Sequence, residues 1–272
     1  MDITVDRIRY HVEVCGNGTS ALVVLHGFTG DASTWMPFFE SWGQHSLVIA
    51  PDIIGHGKTE SPNEIKRYQI EVAASDLNRI LDELAVEQID LLGYSMGGRL
   101  ALTFALLFPN RVRRLILESA SPGLETEDER ELRRMKDTEL AKFIVNEGIT
   151  SFVDYWEDIP LFSSMKRLPA EVIQSIRSQR LHNSVLGLAN SLLGMGTGAQ
   201  PSWWGSPIKK LECEVLLLTG AEDKKFCGIA ERMLKSLKKG SWVAVENCGH
   251  AIHVEESQKF GTIVSDFLSK KR

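Results

Sequence analysis

Gly93-Tyr94-Ser95-Met96-Gly97 follows the apolar run Ile89 to Leu92 and leads into a helical pattern that begins near Gly98. The spacing G-x-S-x-G suits a sharp strand-to-helix turn, because glycines on both sides of the serine relieve crowding where the chain reverses. Such a turn exposes Ser95 at the positive end of a helix dipole. Backbone N–H groups without intrahelical partners lie beside it and can stabilise an oxyanion. The chemistry on offer is that of an activated hydroxyl, acting as nucleophile or as base. In a chain with 22 glycines the pentapeptide alone decides little, so its partners must be found elsewhere.

A serine hydroxyl is a poor nucleophile or base until a histidine accepts its proton, and that histidine needs a carboxylate to fix its tautomer. Where the serine sits in G-x-S-x-G, the partners follow in the order acid, then histidine. Here Val215 to Leu218 runs into Thr219-Gly220-Ala221-Glu222-Asp223, and Trp242 to Val245 runs into Glu246-Asn247-Cys248-Gly249-His250. Acid and base each lie just past the C-terminal end of a strand, where open α/β sheets bind ligands. Glu222 competes with Asp223, and His253 with His250. We prefer Asp223 and His250, because His250 follows a glycine at a loop bend whereas His253 falls at the approach to the next helix. The histidines at positions 11, 26, 45, 56 and 182 lack such a setting.

Two further features surround the serine. His26-Gly27-Phe28, after an earlier strand, matches the second element of an oxyanion hole, with the N–H groups of Phe28 and Met96 aimed at one oxygen. Arg99 lies four positions after Ser95, about one helical turn on, so its guanidinium can reach the pocket mouth. There it would hold a substrate carboxylate through paired hydrogen bonds. It can equally serve as the structural partner of a nearby carboxylate.

The elements that must position these residues form an α/β pattern. Ile3 to Val14 reads as a strand or hairpin, and Ala21 to Leu25 as a short buried strand. Apolar runs at Ser46 to Ala50, Ile89 to Leu92, Leu115 to Leu117, Val215 to Leu218 and Trp242 to Val245 alternate with helical patterns. Those patterns lie around Tyr68 to Leu84, Leu100 to Phe108, Ile229 to Leu237 and Phe260 to Leu268. The alternation predicts a mostly parallel sheet with helices on both faces. It breaks between about Pro122 and Pro207, a stretch of charged helical patterns, aromatic residues and the Gly-rich Gly194 to Gly198. We expect a helical cap over 122–207 inserted into a core formed by 1–121 and 208–272.

Composition narrows the partners. A formal charge of −5 argues against a general nucleic-acid binder. The first residues alternate apolar and charged types where a signal peptide needs an apolar stretch, and no segment is long and apolar enough to span a bilayer. The four cysteines, Cys15, Cys213, Cys227 and Cys248, form no CxxC pair. Together these predict a cytoplasmic protein with reduced thiols, no metal and no cofactor.

With these segments in place the chain resembles the α/β-hydrolase superfamily over nearly its whole length. Leu25 to Trp35 (LHGFTGDASTW), Gly93 to Leu102 (GYSMGGRLAL), Glu118 to Leu124 (ESASPGL) and Gly194 to Pro201 (GMGTGAQP) are similar to one member family. It is that of the 2-succinyl-6-hydroxy-2,4-cyclohexadiene-1-carboxylate synthases of menaquinone biosynthesis. The resemblance implies a lyase that eliminates pyruvate from an enolpyruvyl cyclohexene carrying several carboxylates, with Ser95, Asp223 and His250 as its triad. It further implies that Arg99, Arg133 and Arg177 bind substrate carboxylates and that Tyr94 and Trp156 line the pocket. Arg130, Arg134 and Arg180 stand close enough in the chain to exchange places with the cap arginines. A carboxylesterase or a carbon–carbon bond hydrolase would share the triad, and a ligand receptor could retain the fold.

Overall fold

A computed structural model describes residues 1–270 of the chain. Its eight strands are β1 (Asp2–Val5), β2 (Ile8–Cys15), β3 (Ser20–Leu25), β4 (Ser46–Pro51), β5 (Ile89–Tyr94), β6 (Val112–Glu118), β7 (Glu214–Gly220) and β8 (Gly240–Val245). They form one sheet in the spatial order β1-β2-β4-β3-β5-β6-β7-β8. β1 and β2 pair antiparallel, as do β2 and β4; every pairing from β4 across to β8 is parallel. The central strands are uninterrupted apolar runs because helices cover both of their faces.

The helices of the core are α1 (Met36–Gly43), α2 (Ile70–Glu83), α3 (Met96–Leu107), with α7 (Lys224–Leu234), α8 (Ile252–Glu255) and α9 (Ser257–Ser269) following β7 and β8. Leu77, Ile80 and Leu81 of α2 and Leu100 and Phe104 of α3 pack with Val23, Leu91, Leu115 and Leu217 on one face. On the other, Phe38 and Trp42 of α1 and Phe260 and Val264 of α9 pack with Leu22, Leu92, Ile116 and Leu216. Adjacent strand residues thus serve opposite faces, as the period of two requires. Burying each such side chain stabilises the fold by about 1.5–3 kcal/mol.

Between β6 and β7 the chain leaves the sheet as the expected helical insertion. It comprises α4 (Glu127–Asp158), α5 (Ala170–Leu181) and α6 (Val185–Met195). A reciprocal capping box between Thr126 and Glu129 starts α4, and Gly148, at φ 77°, kinks it. The insertion has an apolar centre of its own, including Ile144, Phe152, Val153 and Leu188. Polar side chains fasten it to the core: Asn183 Nδ2 donates to the Thr29 carbonyl at 2.8 Å, and Gln179 Nε2 to Asp31 Oδ1 at 2.7 Å. Among the described residues no helix is long and apolar enough to cross a membrane.

Two helices start earlier than the hydrophobic pattern indicates. α3 begins at Met96 rather than near Gly98, although glycine is a poor helix former. Contact with the sheet decides the matter. A Cβ on Gly97 would lie 2.4 Å from the backbone oxygens of Leu25 and His26, and one on Gly93 would lie 2.3 Å from the Gly97 oxygen. The helix can therefore press its first turn against the ends of β3 and β5. α7 begins at Lys224 rather than near Ile229, because Asp223 caps it by accepting the Phe226 N–H at 3.2 Å. Its polar first turn carries no apolar signal.

Topology then fixes where a site can form. From β3 the chain passes to β4 on one side, while β5 lies on the other, so the crevice between the ends of β3 and β5 is a switch point. His26 to Phe28 leaves β3 there, and Ser95 leaves β5. Gly97→Ala should destabilise the protein by about 2–4 kcal/mol, since its methyl group meets backbone rather than a yielding side chain. Urea denaturation checks this, and a midpoint unchanged from wild type would contradict the packing account.

Candidate active site

Ser95 joins β5 to α3 with φ 51° and ψ −107°. A non-glycine residue at positive φ costs roughly 1–3 kcal/mol and persists only where its surroundings enforce it. Here the Ser95 N–H donates to the Glu118 carbonyl at 2.8 Å, and the Ser95 carbonyl accepts the Arg99 N–H at 3.0 Å. The side chain is thereby lifted off the end of the sheet. His250 Nε2 lies 3.0 Å from Ser95 Oγ, and His250 Nδ1 lies 2.7 Å from Asp223 Oδ2. The carboxylate sets the tautomer: Nδ1–H donates to Asp223, leaving Nε2 free to accept the serine proton.

Backbone bonds hold acid and histidine in register. The Ala221 N–H donates to the Val245 carbonyl at 2.8 Å and the Glu222 N–H to the Cys248 carbonyl at 3.1 Å, joining the loops after β7 and β8. The Glu222 side chain turns away and pairs with Arg167 at 2.9 Å on the exposed side. His253 is buried, not a surface cover for a helix end, and its Nδ1 pairs with Glu118 at 2.9 Å. Of each competing pair, Asp223 and His250 are the members connected to Ser95.

The Met96 and Phe28 N–H groups find no protein acceptor among the described residues. They are therefore available to an oxygen beside Ser95. The loop carrying Phe28 depends on His26, which composition and spacing left without a role. His26 Nδ1–H donates to the Gly27 carbonyl at 2.8 Å while Nε2 accepts the Ile53 N–H at 2.9 Å. Only the neutral ring can make both bonds, and burial pushes its pKa down. The tilted ring of His56 lies 5.3 Å away, and burial lowers its pKa to about 3. The strand-end HGF pattern was the available signal for His26; none in the sequence marked His56 as buried.

Above the serine lies a cavity of about 270 Å³ bounded by Phe28, Tyr94, Trp156, Phe162 and His250. Trp156 meets Phe28 edge-on at 5.3 Å, and Tyr94 lies 5.4 Å from the His250 ring. Arg99, Arg133, Lys225 and Arg232 also reach this cavity. Arg99 Nη1 donates to the Met195 carbonyl at 2.6 Å and to Gln200 Oε1. Burial, with Arg133 nearby, lowers its pKa to about 10, so it stays charged at neutral pH. Arg133 Nε donates to Asp137 at 2.7 Å. Lys225 makes no ion pair among the described residues; it sits in the first turn of α7, where nothing in the sequence distinguished it.

Arg177 stands apart from this cavity. Its guanidinium is held by Asp154 at 2.6 Å and Glu157 at 2.8 Å, and it does not line the cavity. One turn further along α5, Arg180 is buried, with its guanidinium 5.0 Å from the centre of the Phe162 ring. It lines an adjoining cavity of about 800 Å³ that shares Phe28, Tyr94 and Phe162 with the first. Residues three apart share a helix face, so sequence matching inside one helix separates them poorly.

A family model described as "alpha/beta hydrolase fold" matches residues 20–257. The chain belongs to the α/β-hydrolase family. Over 271 residues, 99% of this chain and 98% of its counterpart, it is 47% identical to a Bacillus subtilis (strain 168) protein named provisionally as a 2-succinyl-6-hydroxy-2,4-cyclohexadiene-1-carboxylate synthase. It is 32% identical to the Photorhabdus laumondii protein of that name, over 91% of this chain and 85% of the other. Among solved structures, MenH from S. aureus superposes with a TM-score of 0.91 at 36% identity, covering 95% of this chain and 97% of that one.

The buried neutral histidines give this α/β-hydrolase a pH signature. Because the folded-state pKa of His56 lies below the ordinary 6.5, the unfolded chain takes up the proton first and stability falls as pH drops from about 6.5 toward 3. Between pH 7 and pH 4 the wild type should lose about 3 kcal/mol more than His56→Gln, which carries no titrating ring. Parallel denaturation curves at the two pH values measure the difference, and equal losses would remove His56 from the account.

Proposed function

We propose that this protein eliminates pyruvate from 2-succinyl-5-enolpyruvyl-6-hydroxy-3-cyclohexene-1-carboxylate to give 2-succinyl-6-hydroxy-2,4-cyclohexadiene-1-carboxylate, a step of menaquinone biosynthesis. The observation that carries this reading is Arg99, a half-buried charged guanidinium one helical turn beyond Ser95 in the same cavity. A neutral ester gains little from that charge, whereas a substrate with several carboxylates is held by it. Relatives 47% and 32% identical over 99% and 91% of the chain bear the name of this activity.

The substrate has its double bond at ring carbon 3 and the product has double bonds at carbons 2 and 4, which dictates the movement of electrons. Asp223 and His250 make Ser95 Oγ basic, and Ser95 removes the proton on carbon 2, which the neighbouring succinyl ketone acidifies. The Phe28 and Met96 N–H groups receive the charge that develops on the ketone oxygen. That electron pair then forms the bond between carbons 2 and 3, the original double bond shifts to carbons 4 and 5, and the carbon 5–oxygen bond breaks. The leaving group departs as the enolate of pyruvate and recovers the proton from His250. No water is consumed and no acyl-enzyme forms.

Arg99 and Arg133 would orient carboxylates from the core and cap sides. We assign the second cap position to Arg180 in place of Arg177, whose donors two carboxylates already occupy. Tyr94 and Trp156 would form the apolar walls around the ring. The substrate is thus a small multiply anionic molecule, and the cavity supplies the acid–base groups itself.

Pyruvate release, coupled to lactate dehydrogenase, tests the reading. Ser95→Ala should lower kcat by about 10³-fold or more with KM within about threefold. Arg99→Ala should instead raise KM at least about tenfold. Negligible pyruvate release by the wild type, with brisk hydrolysis of p-nitrophenyl esters, would establish a hydrolase instead. Arg180→Ala should raise KM while Arg177→Ala leaves it within about twofold; the reverse pattern would restore Arg177.

A further inference from the structure

One buried ionisable pair takes no part in the chemistry above. Glu118 ends β6, between the serine strand and the acid strand, and is wholly inaccessible to water. His253, in α8 three residues beyond His250, is 5% exposed. A carboxylate removed from water is costly unless its lone pairs are satisfied, and a satisfied buried network rigidifies what it joins. Glu118 accepts the His253 backbone N–H at 3.1 Å, and its two oxygens lie 2.9 and 3.0 Å from His253 Nδ1. The imidazole is held sideways as well, with Tyr94 4.5 Å away on one side and Trp35 5.1 Å away.

The main chain of the same residue reaches the other half of the site. The Glu118 carbonyl accepts the Ser95 N–H at 2.8 Å, and the next residue, Ser119 at φ 47°, donates its N–H to the Leu218 carbonyl of β7 at 2.9 Å. Two consecutive residues therefore touch the serine turn, the strand that leads to Asp223, and the segment that follows His250. We infer that Glu118 and His253 are a positioning pair that sets the separation of Ser95 from His250, tying the serine turn to the histidine loop through one residue's carbonyl and carboxylate.

Glu118 stands at the end of β6, beside β7, the strand that leads to Asp223. It is committed to His253 at both oxygens, and Asp223 is left as the partner of His250. Glu118 lines neither cavity, and His253 is absent from the lining of the cavity that holds Ser95. Their influence on catalysis passes through Ser95 and His250, and an error of about 1 Å in that separation can cost about 100-fold in rate.

The inference rests on the triad reading of Ser95 and His250 and not on the identity of the substrate, so it is tested on the full chain with a probe that needs only the triad. The rate at which a fluorophosphonate labels Ser95 is measured beside kcat and KM for pyruvate release. Glu118→Ala should slow labelling and kcat by about 30-fold or more with KM within about threefold. Glu118→Gln, which keeps an oxygen for both His253 donors, should recover most of the loss. His253→Ala should slow labelling by about tenfold, and adding it to Glu118→Ala should cost little more, because the two act as a unit. Wild-type labelling rates in a folded Glu118→Ala or His253→Ala variant, or additive losses in the double variant, would overturn the inference. Should Glu118→Ala fail to fold, His253→Ala decides the matter alone. Absence of Ser95 labelling in the wild type would overturn the triad reading itself.

Discussion

The left-handed backbone of Ser95 is the constraint on which the rest of the site depends. A serine at φ 51° is strained, and the strain is useful because it projects Oγ away from a sheet whose other strand-end side chains are packed. The turn is held from below by backbone contacts that leave no room for a Cβ at Gly93 or Gly97. It is held from the side by the Glu118 carbonyl. Relaxing the turn would withdraw the hydroxyl from His250 and the Met96 N–H from its place beside Phe28 at the same time. Nucleophile geometry and oxyanion geometry are therefore one property of this chain.

Charge in the cavity follows from which arginines are already satisfied. A guanidinium bound by two carboxylates, as Arg177 is, has little left for a ligand. Arg99 is bound only by neutral oxygens, those of Met195 and Gln200, which satisfy donors without cancelling charge. Its nearest opposing charge is the buried Asp137, which favours the charged guanidinium against the cost of burial. Asp137 gives its hydrogen bond to Arg133, and burial raises its own pKa against the pull of both arginines.

Much of this was legible in the sequence because chemistry-bearing residues at strand ends follow local rules. The G-x-S-x-G turn, the order of Asp223 and His250, and the break in alternation after β6 are all short-range patterns. Side-chain commitments across the fold were not legible. Arg177 and Arg180 share a helix face and a composition, and only their contacts with α4 distinguish them. The early start of α3 was hidden because glycines depress helix propensity, while the close approach they permit is a tertiary effect. The setting of His253 was hidden because Glu118, its partner, lies 135 residues away in the chain.

The four buried histidines show how partners, not residue type, assign roles. His26 has a carbonyl on one nitrogen and an N–H on the other, so protonation would break a bond it already makes; it can only be a neutral brace. His56 donates to the Ile54 carbonyl and leaves Nε2 buried without a partner, which disfavours charge still more strongly. His253 faces a carboxylate but no hydroxyl, and so fixes structure without a proton to move. His250 alone stands between a carboxylate and a hydroxyl, with Asp223 able to compensate the imidazolium that forms when Ser95 gives up its proton. Of the four rings, His250 is the one within hydrogen-bond reach of both a carboxylate and a hydroxyl, while burial disfavours charge on His26 and His56 and Glu118 occupies His253.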